Sequence, residues 1–95
     1  MDDDARLLER ARQGDETAFS RLFASHQRAL YRYAVYMCGD HAGDDIVQET
    51  FLAVLRQSDR RDAPTGSVAA YLFGIARHLV MKRLAVRREE RFAPL

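Results

Sequence analysis

The 95-residue chain has no tryptophan, a single cysteine and two prolines. A lone thiol, Cys38, excludes an internal disulfide, and no Cys/His cluster stands at zinc-ligand spacing. His26, His41 and His78 lie far apart in sequence. Neither a structural metal nor a cofactor is therefore expected. β-Branched aliphatics are scarce, with eight Val plus Ile against 14 Ala and 10 Leu. That balance favours helix over strand, and no run alternates long enough to read as a strand. Long hydrophobic runs are missing too. The longest uncharged stretch ends at Ala76 and is well short of the roughly 20 apolar residues that cross a bilayer. The chain opens on Met1-Asp2-Asp3-Asp4, the wrong charge for the basic start of a signal peptide, so a cytoplasmic location is expected.

What is present describes one all-α domain spanning 1–95. The length allows one ordinary core, which does not need metals or disulfides to hold it. Apolar residues make up 47% and charged residues 31%, which excludes both a disordered tail and a membrane protein. The net charge of +1 hides a split. Residues 1–50 carry a net of −4 and residues 51–95 a net of +5. Two surfaces with different partners are implied, one of them suited to nucleic acid.

Four helices fit the apolar spacing. The first covers about Asp4 to Gln13 and stops at Gly14. Asp15 caps the second, which runs to about Cys38 on a stripe of Phe19, Leu22, Phe23, Leu30, Tyr33, Ala34 and Met37. Gly39 stops it. Asp40 or His41 opens the third, which buries Ile46, Val47, Thr50, Phe51, Val54 and Leu55. The polar stretch from Ser58 to Gly66 is the one substantial loop, because Pro64 and Gly66 break any helix. Ser67 caps a fourth helix, about Val68 to Arg88, with Val68, Leu72, Ile75, Leu79 and Val86 as its core stripe.

Two helix faces carry candidate chemistry. On the fourth helix Tyr71, Gly74, His78 and Lys82 lie along one edge of the core stripe. Phe73, Arg77, Leu84 and Arg88 lie nearly opposite that stripe. Cations neutralise phosphates and aromatics stack on unpaired bases, so this helix suits nucleic acid. A solvated basic face, favoured by the helix dipole, is an equally weighted reading. On the third helix Asp45, Gln48 and Glu49 share one stripe, either a docking strip for a basic partner or acids favoured by the same dipole. No nucleophile, phosphate-binding glycine loop or metal-ligand set accompanies these carboxylates, so no enzyme activity is expected. His26 reads as a satisfied boundary histidine.

Three ordered strings carry a resemblance that covers nearly the whole chain. Asp44-Asp45-Ile46-Val47-Gln48-Glu49-Thr50-Phe51-Leu52 resembles the E-D-L-V-Q-E-T-F-L helix of bacterial extracytoplasmic-function (ECF) sigma factors. Tyr71-Leu72-Phe73-Gly74-Ile75-Ala76-Arg77-His78-Leu79 resembles their W-L-F-G-I-A-R-N-L helix. Gly14-Asp15-Glu16-Thr17-Ala18-Phe19 resembles their G-D-x-x-A-F opening. The resemblance implies the N-terminal, region 2 domain of such a factor, a compact bundle of about four helices.

That domain has two tasks in the family. One helix docks on the β′ clamp helices of RNA polymerase. The last helix and the loop before it capture a flipped base of the non-template strand at the −10 promoter element and help melt it. By match, Asp44, Asp45, Gln48, Glu49 and Leu52 would bind polymerase. Arg56, Arg60, Arg61, Tyr71, Arg77, His78, Lys82, Arg83, Arg87 and Arg88 would bind DNA. The loop from Ser58 to Ser67 would select the base. An anti-sigma protein is a further partner common to the group; no membrane contact is implied. Tyr71 stands where the family usually has tryptophan, His78 where it has asparagine, and Lys82 where aspartate is common. Full factors continue to a second domain that reads the −35 element, which is expected to be absent from this chain. The leading alternative is a helical regulator of duplex DNA independent of polymerase. A third reading is a protein–protein adaptor with merely solvated charges.

Overall fold

The computed structural model describes residues 3–56 and 66–92. Helix α1 (Asp3–Arg12) buries Leu8 and Ala11 and ends where Gly14 takes φ +98°. Helix α2 (Glu16–Cys38) follows at once. Its cap is the expected one: the Ala18 N–H donates to Asp15 Oδ1 at 3.1 Å. The other oxygen, Oδ2, accepts from Arg10 Nε and Nη2 at 3.0 and 2.7 Å. The Ala18 N–H, then the Arg10 guanidinium, hold the Asp15 carboxyl below its ordinary range. Gly39 terminates α2 at φ +96°, a conformation that L side chains rarely adopt.

The third helix begins later than the sequence suggests. A 3-10 turn occupies Asp40–Ala42, with the Ala42 N–H donating to the Gly39 carbonyl at 3.1 Å. Helix α3 then runs Gly43–Arg56. The turn packs Ala42 and Gly43 under α2. A β-carbon on Gly43 would stand 2.6 Å from the Tyr31 ring and 2.8 Å from Val35. Helix α4 (Val68–Phe92) is capped by Ser67, whose Oγ accepts the Ala70 N–H at 3.0 Å. It runs four residues beyond the expected end at Arg88. Among the described residues the fold is all-α, four helices around one core, and no helix is long and apolar enough to cross a membrane.

The core is finer-grained than a stripe of large side chains. Leu22, Leu30, Ile46, Val54 and Leu72 are fully buried, but so are Ala18, Ala34, Ala42 and Ala76. Small residues at these positions let helix axes approach closely. The line that α4 buries is Val68, Leu72, Ala76 and Val80, one residue in four. Ile75 and Leu79 are only half-buried at its edge, and Val86, expected in the core, is 55% exposed. Beyond Val80, α4 buries no residue fully: Leu84 still packs against the edge of the core, and every residue from Ala85 to Phe92 is exposed. Phe73, expected opposite the core, packs edge-on against Tyr33 of α2 with ring centroids 5.7 Å apart. α2 is long enough to cover that side of α4 as well. Phe19, Phe23 and Phe51 close the other end of the bundle, at 5.0 to 6.2 Å between centroids. The one buried polar side chain among the described residues, Thr50, donates to the Ile46 carbonyl at 2.7 Å. His26 pairs with Asp4 at 2.8 Å, a satisfied boundary residue as expected.

Candidate nucleic-acid interface

The two helices with opposite charge lie side by side. α3 buries Ile46, Val47, Thr50, Phe51 and Val54, and at 100° per residue the opposite face holds Asp45, Gln48, Glu49 and Leu52. Asp44, Asp45, Gln48 and Glu49 are all exposed or at the surface edge, and Leu52 is 48% exposed. All five residues expected to bind polymerase are therefore accessible on one helix. An exposed leucine among carboxylates is costly to leave in water and gains when a partner covers it. Beside it, Phe19, Phe23, Gln48, Phe51 and Leu52 line a hollow of about 220 Å³.

α4 carries Arg77, Lys82, Arg83, Arg87, Arg88 and Arg91 against two acids, Glu89 and Glu90. Arg77, His78, Lys82, Arg87 and Arg88 are exposed; Tyr71 and Arg83 are half-buried. Arg56 is exposed at the last residue of α3. Arg60, Arg61 and most of the expected base-selecting loop lie outside the described residues.

Three of the four residues read as one edge of α4 come together around a single concavity. Tyr71, Gly74 and His78, with Ala53, Ala70, Ile75 and Leu79, line a hollow of about 510 Å³ between α3 and α4. Pockets of roughly 300–1,000 Å³ accept small organic groups. Its lining is largely apolar, with Ala53, Ala70, Ile75 and Leu79 contributing. Tyr71 and His78 add a phenol and an imidazole to that lining. A β-carbon on Gly74 would meet nothing within 4 Å, so this position leaves open space where a planar group can lie against backbone. Lys82 lies on the same side of α4, two turns beyond Gly74, placing a cation near the hollow.

Tyr71 is held from outside both of these helices. Arg12 Nη2, at the end of α1, donates to the Tyr71 hydroxyl at 3.0 Å, and its guanidinium carbon lies 5.8 Å from the ring centroid. Arg12 Nε donates to the Val54 carbonyl at 3.2 Å. Sequence reasoning gave no role to Arg12, since 59 residues separate it from Tyr71 and no local pattern links them. A second link was equally hidden. Arg83 of α4 reaches Glu49 of α3, Nη2 to Oε2, at 3.5 Å.

Comparison with known proteins places these features in a family. The family model described as Sigma-70 region 2 matches residues 22–91. The chain is 39% identical to the ECF RNA polymerase sigma factor BldN of Streptomyces coelicolor over 75 residues, 78% of this chain and 28% of that protein. It is 34% identical to the ECF RNA polymerase sigma factor SigL of Mycobacterium tuberculosis over 79 residues, 81% of this chain and 43% of that protein. The chain thus spans less than half the length of either relative. No solved structure matches it significantly.

Proposed function

The chain belongs to the Sigma-70 region 2 family and is a domain of the ECF sigma factor type, and from that premise we propose that it docks on RNA polymerase through α3 and captures melted promoter DNA through α4. The strip of Asp44, Asp45, Gln48, Glu49 and Leu52 takes the β′ clamp helices of the polymerase. Carboxylates steer a basic partner and set its register, and Leu52 supplies apolar area to bury. The basic face of α4 takes the non-template strand of the −10 element. Arg77, Lys82, Arg87 and Arg88 neutralise phosphates and release counterions.

The observation that carries this reading is the hollow shared by Tyr71, Gly74 and His78. Taking a base out of the stack costs a few kcal/mol. A stacked aromatic returns about 1–3 kcal/mol per base, and the apolar lining adds to that. Binding of one extruded base there favours the melted over the paired state of the promoter. The domain carries out no covalent step in this account; it shifts an equilibrium between closed and open DNA. Initiation of transcription at a promoter is the role that follows.

The test is fluorescence anisotropy of labelled DNA with the chain bound to core polymerase. The non-template single strand of a −10 element is expected to bind more tightly than the same sequence as duplex. Preference for duplex, undiminished when polymerase is left out, would replace this reading with a polymerase-independent regulator.

A further inference from the structure

One side chain joins three helices at the edge of the hollow. Arg12 is the last residue of α1, and its side chain is half-buried. Its Nε reaches Val54 O in the last turn of α3 at 3.2 Å, and its Nη2 reaches the Tyr71 hydroxyl in the first turn of α4 at 3.0 Å. The last four carbonyls of a helix have no intrahelical donor, and Val54 is among them. A cation at that end also opposes the negative pole of the helix dipole. The planar fork of arginine suits two acceptors at once; a lysine ammonium is a point charge on a flexible stem.

We propose that Arg12 is a positioning residue for single-strand capture: its guanidinium fixes the Tyr71 ring as one wall of the hollow and ties that wall to the end of α3. This rests on the reading of α4 as a single-strand surface. The hydroxyl is essential to it. Tryptophan at this position would offer no oxygen to Arg12, so the tyrosine brings its own anchor. A fixed ring loses no rotamer freedom when a base stacks on it, which is the energetic gain of preorganisation. Arg12 itself contacts no phosphate in this account. Its charge is spent on Val54 and Tyr71.

The test uses the full chain bound to core polymerase and a fluorescein-labelled pool of single-stranded DNA 12-mers of random sequence, titrated at several salt concentrations. Arg12→Ala, Arg12→Lys and Tyr71→Phe are each expected to weaken binding about fivefold, and Arg12→Ala with Tyr71→Phe by clearly less than the product of the two single losses, since the two variants share the Arg12–Tyr71 contact. The slope of log affinity against log salt is expected to stay at the wild-type value. Affinity for core polymerase is expected to be unchanged in all variants. Losses that multiply in the double variant would overturn the proposal. So would rescue by Arg12→Lys, or a slope smaller by about 0.7, the mark of a direct phosphate contact to a single strand. Loss of polymerase affinity alongside DNA affinity would assign Arg12 to general folding instead. A wild-type chain that binds polymerase but not the pool would remove the single-strand reading, and this proposal with it.

Discussion

Glu49 of α3 and Arg83 of α4 form an ion pair, 3.5 Å from Nη2 to Oε2, that bridges the acidic strip and the basic helix. The surface proposed for polymerase and the surface proposed for DNA therefore share a border. Both side chains are partly exposed, Arg83 at 35% and Glu49 at 52%, so water and salt screen the pair. Exposed pairs of this kind contribute about 0–1 kcal/mol. Either partner can leave the other at little cost, which suits residues with work to do elsewhere.

Arg83→Ala is accordingly expected to change unfolding free energy by less than about 1 kcal/mol. Single-strand DNA affinity should fall, and the salt slope should shrink by about 0.7 if Arg83 neutralises one phosphate. Chemical denaturation and anisotropy titrations measure the two. An unchanged slope would confine Arg83 to its pairing with Glu49.

Gly74→Ala separates stability from function. The added methyl meets no neighbour within 4 Å, and alanine is favoured over glycine inside a helix by about 0.5–1 kcal/mol. The variant should therefore melt at a higher temperature than wild type. It should bind single-stranded DNA more weakly, because the methyl narrows the hollow beside Tyr71 and His78. A variant that is stabilised and binds at full strength would place the captured base elsewhere.

Gly43→Ala should behave in the opposite way. Its backbone is ordinary right-handed helix, φ −56°, so glycine is not needed there for conformation. It is needed for room, because an alanine methyl there would stand 2.6 Å from the Tyr31 ring and 2.8 Å from Val35. Overpacking of this kind costs about 1–3 kcal/mol. Urea denaturation should show that loss, and Tyr31→Ala in the same chain should recover part of it. Full stability of Gly43→Ala alone would contradict the close packing of α2 on the start of α3.

Asp15 sets an acid limit on the cap of α2. Its carboxyl titrates below the ordinary 3.8 in the folded chain, first through the Ala18 N–H and then through Arg10. A carboxyl depressed by folding stabilises the fold above its unfolded value and loses that contribution as pH falls through its folded value. Asp15→Ala should thus melt below wild type at pH 7, with the gap closing below about pH 4. Thermal melts across that range decide it, and a gap that stays constant would assign the effect to helix propensity alone.

Much of the fold was legible because its signals are local. Asp15, Ser67 and Gly39 announce helix ends within three or four residues of the groups they satisfy. The acidic strip is legible for the same reason, since Asp45, Gln48 and Glu49 sit within one turn of one another. Along α4 the sequence misleads. Large Ile75, Leu79 and Val86 draw the eye, yet small Ala76 and compact Val80 are buried. Which apolar side faces inward there depends on where α2 and α3 end, and that is a property of the packed bundle. The hollow was half legible: Tyr71, Gly74 and His78 line up by helix spacing, but Ala53 closes it from another helix. Arg12 was not legible at all. Its partners are 42 and 59 residues away, and an arginine at a helix end reads as an ordinary dipole complement.

The most direct test of the account is binding of the chain to a purified β′ clamp-helix fragment, wild type beside Asp45→Lys and Glu49→Lys. Wild type is expected to bind. Each reversal is expected to lose at least about tenfold in affinity while the far-ultraviolet spectrum stays helical, since both side chains are exposed and the Glu49–Arg83 pair contributes little to the fold. Undiminished binding by both folded variants, or none by folded wild type, would contradict docking through α3.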